Sequence, residues 1–229
     1  MKRAYWFTAA IVVASLGGAS ILNACARDAA APAKPLENWT AGINYTQLPS
    51  PQPTTVKPGK VEVLEVFWYG CSHCYALDPT LEEWKKTKPA YVEFVRIPVM
   101  WGLPHKQHAR LYYTLMALNR LDLHSKVFDS IHKDHNLMMA QTDEEARAQQ
   151  LAFCKANGIS EADFNKAYDS PEVQANVDRA QDATYRYGVS GVPVIFVNGK
   201  YSTDVTMAGS DDKKLVAIIN DLAASEKKP

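Results

Sequence analysis

The segment from Val61 to Trp84 constrains the fold of this chain more than any other stretch. Val61-Glu-Val-Leu-Glu-Val-Phe-Trp-Tyr69 is a β-rich apolar run. It leads through Gly70 into Cys71-Ser-His-Cys74, and from there into Tyr75-Ala-Leu-Asp-Pro-Thr-Leu-Glu-Glu-Trp84, where apolar residues recur at helical spacing. A strand that ends in CxxC and passes at once into a helix puts Cys71 beside the unpaired N–H groups and the positive dipole end of that helix. Both favour thiolate over thiol and lower the thiol pKa. His73 can add a positive charge or a hydrogen bond to the same sulfur. Cys74 falls on the stripe Cys74, Leu77, Leu81, Trp84, Lys88 and is expected to face inward. The pair reads as an exposed attacking sulfur and a buried resolving one, a two-electron carrier that closes into a disulfide and opens again.

A structural bridge across two residues closes too short a loop to stabilise much. Zinc needs two more ligands, and there is no second CxxC; His105 and His108, or His132 and His135, have the spacing to supply them. All four histidines fit surface or helix-end positions instead. No metal is expected.

The chain has 229 residues, 47% hydrophobic and 22% charged, the profile of a globular protein of one or two domains. Its formal net charge is zero, which argues against a nucleic-acid partner. Residues 1–24 read as a secretory signal peptide: Lys2-Arg3, then an uncharged stretch from Ala4 to Ala24, ending in small residues. An uncleaved membrane anchor is the competing reading of that stretch. Leu22-Asn-Ala-Cys25 resembles a bacterial lipobox, which would lipidate Cys25, although Asn23 departs from the residue usual there; Ala24-Cys-Ala26 equally fits ordinary cleavage. Export places the CxxC in an oxidising compartment. Cys154 lies on a helical apolar face and reads as a buried, inert thiol.

Residues 25–41 read as a linker. Pro49, Pro51, Pro53 and Pro58 exclude a regular helix from the lead-in up to residue 60. Period-2 alternation in the first strand puts Glu65 on a face with apolar neighbours, either as a buried proton donor or acceptor beneath the disulfide or as a solvated edge carboxylate. Tyr91–Ile97 is a second strand, so strand, helix and strand make a parallel unit with a right-handed crossover. From about Leu103 to Asp169 only helical patterns occur, with a capping box at Thr142-Asp-Glu-Glu145 and a cap at Ser160. Ser170-Pro171 opens a further helix that runs to Gly188. A strand returns at Val194–Val197, Asn198-Gly199 is a hairpin turn, and a last helix carries Leu215, Ile218, Ile219 and Leu222.

Val63-Leu-Glu-Val-Phe-Trp-Tyr-Gly-Cys-Ser-His-Cys74 and Gly188-Val-Ser-Gly-Val-Pro-Val-Ile-Phe-Val-Asn-Gly199 resemble the two signature segments of the bacterial DsbA family, and Tyr45-Thr46 resembles its N-terminal lead-in. The resemblance covers about residues 42 to 222. It implies an α/β thioredoxin fold, residues 42–99 and 171–222, interrupted by an all-helical insertion domain, residues 100–170. Cys71 matches the nucleophile, Cys74 its buried partner, His73 the histidine that stabilises the thiolate, and Glu65 the buried acidic residue. Val192-Pro193, by itself an ordinary trans proline in a loop, matches the cis-proline loop that lies against the disulfide and pairs with substrate. Well-known members carry proline where this chain has Ser72, so oxidising strength rests on a different residue in the ring. Lys88 is one position off the site where the family carries a lysine near its acidic residue.

The resemblance implies an exported, periplasmic disulfide oxidase acting on reduced, unfolded exported proteins. It implies reoxidation by a membrane quinone reductase of the DsbB type, and no cofactor. Met100 and Trp101 are expected to help line an apolar substrate groove. A reductase or isomerase of the same compartment is the nearest alternative, but residues 26–60 are too short and proline-rich for a dimerisation domain, and a monomer is expected. A substrate-holding module with an incidental CxxC, or a zinc-binding protein, are the alternatives from other classes.

Overall fold

A computed structural model describes Met1, Leu36 and residues 38–227 of the chain. The expected signal peptide, Cys25 and most of the expected linker lie outside the described residues. Trp39, at the end of that linker, already belongs to the body: its indole N–H donates to Asp221 at 2.8 Å, because a half-buried indole needs an acceptor.

Five strands form one sheet in the order β1-β5-β4-β2-β3: β1 Thr46–Gln47, β2 Val61–Phe67, β3 Val92–Pro98, β4 Val194–Val197 and β5 Tyr201–Thr203. β2 lies inside the sheet, parallel to the edge strand β3 and antiparallel to β4, and all seven of its residues are buried. That explains why it reads as a near-continuous apolar run rather than a half-polar one. The two-residue β1 falls in the proline-rich lead-in, where no strand is expected. It pairs with β5 at the sheet edge, just ahead of the prolines that forbid a longer strand.

Helix α1 (Ser72–Thr87) and α7 (Asp212–Ser225) cover one face: Leu77, Leu81 and Trp84 meet Val61, Val63, Ile195 and Val197 together with Leu215, Ile218, Ile219 and Leu222. Helix α6 (Pro171–Arg186) covers the other, where Ala183 and Tyr187 meet Leu64, Val66 and Phe196. Between β3 and α6 lie α2 (Leu103–Ala117), a 3-10 turn Leu121–Leu123, α3 (His124–His132), α4 (Asp143–Ala156) and α5 (Glu161–Tyr168). The caps are where the side-chain chemistry places them: Thr142, Ser160 and Ser170 accept from the N–H of Glu145, Asp163 and Val173. Cys154 is buried within this helical block, as its apolar face requires.

The helical block shares one core with the CxxC segment. Phe67, Tyr69 and Cys74 pack with Tyr112, Leu115, Phe128 and other residues of the insertion. The hairpin turn behaves as its sequence dictates: Asn198 and Gly199 take φ of 50° and 65°. Gly199 is also forced by a close approach, since an added Cβ would lie 2.1 Å from the Gln52 carbonyl oxygen. The proline-rich lead-in is pinned there by Gln52 N–H donating to Gly199 O at 2.7 Å.

Candidate active site

The end of β2 and the start of α1 place the two thiols as the spacing predicts. Cys71 is the N-cap of α1, half-buried, and Cys74 is fully buried one turn in. Gly70 makes room for the turn between them and β2, because a Cβ there would stand 2.5 Å from the Trp68 ring. Ser72 and His73 are exposed on the first turn. The Cys74 backbone N–H points at Cys71 Sγ across 3.4 Å, and the Cys71 thiol can donate to Val192 O, also at 3.4 Å. The Val192–Pro193 peptide bond is cis. The Val192–Pro193 loop thus lies against the Cys71 sulfur.

The two thiols are driven in opposite directions. Hydrogen bonding from the Cys74 side chain, reinforced by the N–H groups of Cys74 and His73 and by the charge of His73, outweighs burial and lowers Cys71 to about 6. Burial pushes the Cys74 thiol far above its ordinary range, with the Cys71 sulfur and the Glu65 carboxylate adding to it. At neutral pH Cys71 is therefore mostly thiolate, where an unperturbed thiol is mostly protonated. Cys74 stays protonated.

Glu65 is buried, not an edge carboxylate. Burial raises its pKa, and the adjoining Arg96 guanidinium partly offsets that. Arg96, its register partner on β3, donates through Nε at 2.6 Å. The same guanidinium reaches Asp78 at 3.1 Å and also bonds Glu82, one turn further along α1. Burial opposes the charge of Asp78, but the hydrogen bonds from His124 and Ser125, with Arg96, more than reverse it and hold its carboxyl low. Burial pushes His124 down to about 4, so it is neutral at pH 7. Its Nε2 faces Asp78 at 3.4 Å and its Nδ1 meets the Tyr69 hydroxyl at 2.8 Å, an arrangement that suits the Nε2–H tautomer. A chain of polar groups thus runs from Tyr69 through the floor of the site to Glu65.

The sequence reading missed Arg96, Asp78, Glu82 and His124. Two signals pointed to the first three, and none to His124. Cys74, Asp78 and Glu82 recur every four residues on the inward side of α1, and Arg96 interrupts an apolar strand. Lys88 does not serve as the basic partner, since its ammonium donates to Val92 O at 2.5 Å. His108 is fully buried rather than at the surface, because Nε2 bonds the Leu137 carbonyl at 2.8 Å while the ring packs near Trp68 and Tyr69. His132 bonds the Tyr69 carbonyl at 2.9 Å and stacks on Tyr75. Among the described residues, no three His, Cys, Asp or Glu groups are placed to hold a metal ion.

A groove of about 540 Å³ opens along the Val192–Pro193 loop, walled by His73, Leu77, Val192, Pro193, Phe196 and Val205 among others. Met100 and Trp101 are not among its walls. Met100 is buried in the core shared with the insertion, and Trp101 turns its N–H to Val189 O at 3.0 Å.

A sequence profile of the DSBA-like thioredoxin domain matches residues 102–217. Over 181 residues, 78% of this chain and 82% of the relative, the sequence is 37% identical to the thiol:disulfide interchange protein DsbA of Pseudomonas aeruginosa. Over 209 residues, 91% and 89% of the two chains, it is 39% identical to that of Pseudomonas syringae pv. tomato. The crystal structure of the Pseudomonas aeruginosa protein superposes with a TM-score of 0.74 at 35% identity, covering 82% of this chain and 95% of that one. The oxidoreductase DsbA from Xylella fastidiosa gives 0.73 at 26% identity, covering 82% and 97%.

Proposed function

The chain belongs to the DsbA family of thiol:disulfide oxidoreductases, and on that premise we propose that Cys71 and Cys74 are the disulfide it donates to reduced substrate proteins. The observation that carries the assignment is the placement of the two sulfurs, Cys71 at the N-cap of α1 within 3.4 Å of the Cys74 N–H and of Val192 O, and Cys74 fully buried one turn in, an arrangement that lowers the first thiol and raises the second. A substrate thiolate attacks the Cys71 sulfur of the oxidised pair. The Cys71–Cys74 bond breaks, and Cys74 leaves with the electron pair and takes up a proton. A second substrate thiolate then attacks the substrate sulfur of the mixed disulfide, and Cys71 departs as a stabilised thiolate. That stability favours the reduced enzyme, which makes the oxidised one a good oxidant.

The other roles follow from position. His73 supplies charge beside the departing sulfur, Val192 and Pro193 form the wall against which a substrate chain lies, and Ser72 occupies the exposed tip of the ring. Glu65, held by Arg96, places a negative charge near Cys74 and disfavours a second thiolate. Residues 42–99 and 171–222 act as the thioredoxin-like unit and 100–170 as the insertion, with α6 packed on both.

Export to the periplasm is supported by the charge and hydropathy pattern of residues 1–24, and a lipid anchor by Cys25 in its lipobox-like setting. Among the described residues no helix is long and apolar enough to cross a membrane. Reduced exported proteins are the substrates, a membrane quinone reductase of the DsbB type is the reoxidant, and the enzyme acts as a monomer. Equilibrating the purified protein with glutathione at neutral pH tests the oxidase reading. A pair as reducing as a cytosolic thioredoxin would overturn it. The intact mass of the mature N-terminus tests lipidation separately.

A further inference from the structure

The turn that delivers Cys71 is gripped by the helical insertion, at the end of α3. Cys71 N–H donates to Trp68 O at 3.0 Å and closes the four-residue turn Trp68-Tyr69-Gly70-Cys71. The Tyr69 carbonyl belongs to the central peptide of that turn, and β-turn types differ in which way this peptide faces. Here it meets His132, the last residue of α3, whose Nε2 lies 2.9 Å from Tyr69 O. A carbonyl oxygen only accepts, so Nε2 carries the proton and donates.

The same imidazole holds the other end of the redox segment. It stacks on Tyr75, with ring centroids 4.7 Å apart and planes 3° from parallel. Tyr75 follows Cys74 directly, and its backbone N–H donates to Cys71 O at 3.0 Å. Its hydroxyl donates to Asp129, also on α3, at 2.8 Å. One side chain therefore touches the chain just before Cys71 and just after Cys74.

This grip bears on the two redox states unequally. In the oxidised pair the S–S bond itself fixes Cys71 against the start of α1. In the reduced pair that bond is gone, and Cys71 Sγ keeps its 3.4 Å approaches to Cys74 N–H and Val192 O only while the turn keeps its shape.

We propose that His132 is a positioning residue for the disulfide exchange: through Tyr69 O and the Tyr75 ring it holds the open Cys71–Cys74 turn in the geometry that stabilises the leaving sulfur. The inference rests on the reading of Cys71 and Cys74 as the exchanging pair. It adds that α3 of the insertion sets part of the oxidising strength of that pair.

Three variants, equilibrated with glutathione at neutral pH, test it. His132→Phe keeps an aromatic ring against Tyr75 and deletes the hydrogen bond. It should shift the equilibrium about three- to tenfold toward the oxidised protein, the worth of one hydrogen bond lost mainly from the reduced form. The thiolate absorbance midpoint of Cys71 should rise by the logarithm of the same factor, about 0.5 to 1. His132→Gln, which restores an N–H donor without an imidazole, should return most of the way to the wild-type equilibrium. Tyr75→Phe deletes only the bond to Asp129 and should move the equilibrium in the same direction by about two- to threefold, a test that stands even where His132→Phe does not fold. A merely structural role would destabilise both redox forms alike and leave the equilibrium unmoved. An unmoved equilibrium in His132→Phe or in Tyr75→Phe would overturn the inference, as would a His132→Gln protein that behaves like His132→Phe. A wild-type pair as reducing as a cytosolic thioredoxin would overturn the oxidase reading instead, while the ratio of variant to wild type still decides the role of His132.

Discussion

Arg96 Nε donates to Glu65 Oε2 across 2.6 Å, a buried contact between β2 and the parallel edge strand β3. The same guanidinium also bonds Asp78 and Glu82. Three carboxylates thus converge on one cation that is itself 8% exposed, and of the three Glu82 also has Lys85 at 3.3 Å. Removing one partner of a buried ion pair leaves an uncompensated charge, which costs more than the pair contributes.

Arg96→Met should therefore destabilise the protein by about 3–5 kcal/mol, read from the urea midpoint. Glu65→Gln should cost distinctly less, because Arg96 keeps two carboxylates. A loss below about 1 kcal/mol for Arg96→Met would show that the network is solvated and not a buried hub.

The ultraviolet absorbance of the Cys71 thiolate should titrate with a midpoint near 6 in the reduced protein. Its largest cause is hydrogen bonding from the Cys74 side chain, with the charge of His73 a smaller one. Cys74→Ala should consequently raise the midpoint more than His73→Ala does. The reverse order would assign the thiolate's stability to the histidine.

The same depressed pKa makes the reduced form's stability depend on pH. A folded value of about 6 lies below the ordinary 9.0, so the contribution is full near pH 9 and is lost as pH falls through 6. The reduced protein should gain stability relative to the oxidised one as pH rises from about 6 to 8, measured by denaturation of both forms. A flat difference across that window would contradict the shift.

Cys71→Ser should abolish peptide oxidation. Cys74→Ser should retain attack by Cys71 on added disulfides but stop at the mixed disulfide, because the resolving sulfur is gone. Trapped adducts of the Cys74→Ser protein, seen by non-reducing electrophoresis, check the assignment. Adducts on the Cys71→Ser protein instead would reverse the two roles.

Gly199→Ala tests the hairpin. A left-handed φ of 65° and a backbone oxygen 2.1 Å from the new Cβ leave no relaxed position for it. The loss should be about 1–3 kcal/mol, appearing as a lower thermal midpoint.

The sequence by itself determined the local parts of this protein. A strand entering CxxC at a helix start, serine and threonine caps, and an Asn-Gly turn all act within a few residues, through hydrogen bonds and backbone conformations that each residue type favours wherever it stands. The attacking and resolving roles proposed for Cys71 and Cys74 rest on the same local rules, since one sits at the cap and the other on the inward stripe. Only the tertiary structure decided what surrounds them. Glu65 meets Arg96 through the register of two strands 31 residues apart, and a slip of one residue would place Val95 or Ile97 there instead. Asp78 meets His124 because α3 packs on α1, and the groove acquires Val205 because the chain beyond β5 returns beside Pro193. Charge pairing and groove lining depend on which distant segments share a surface, and composition and periodicity do not specify that.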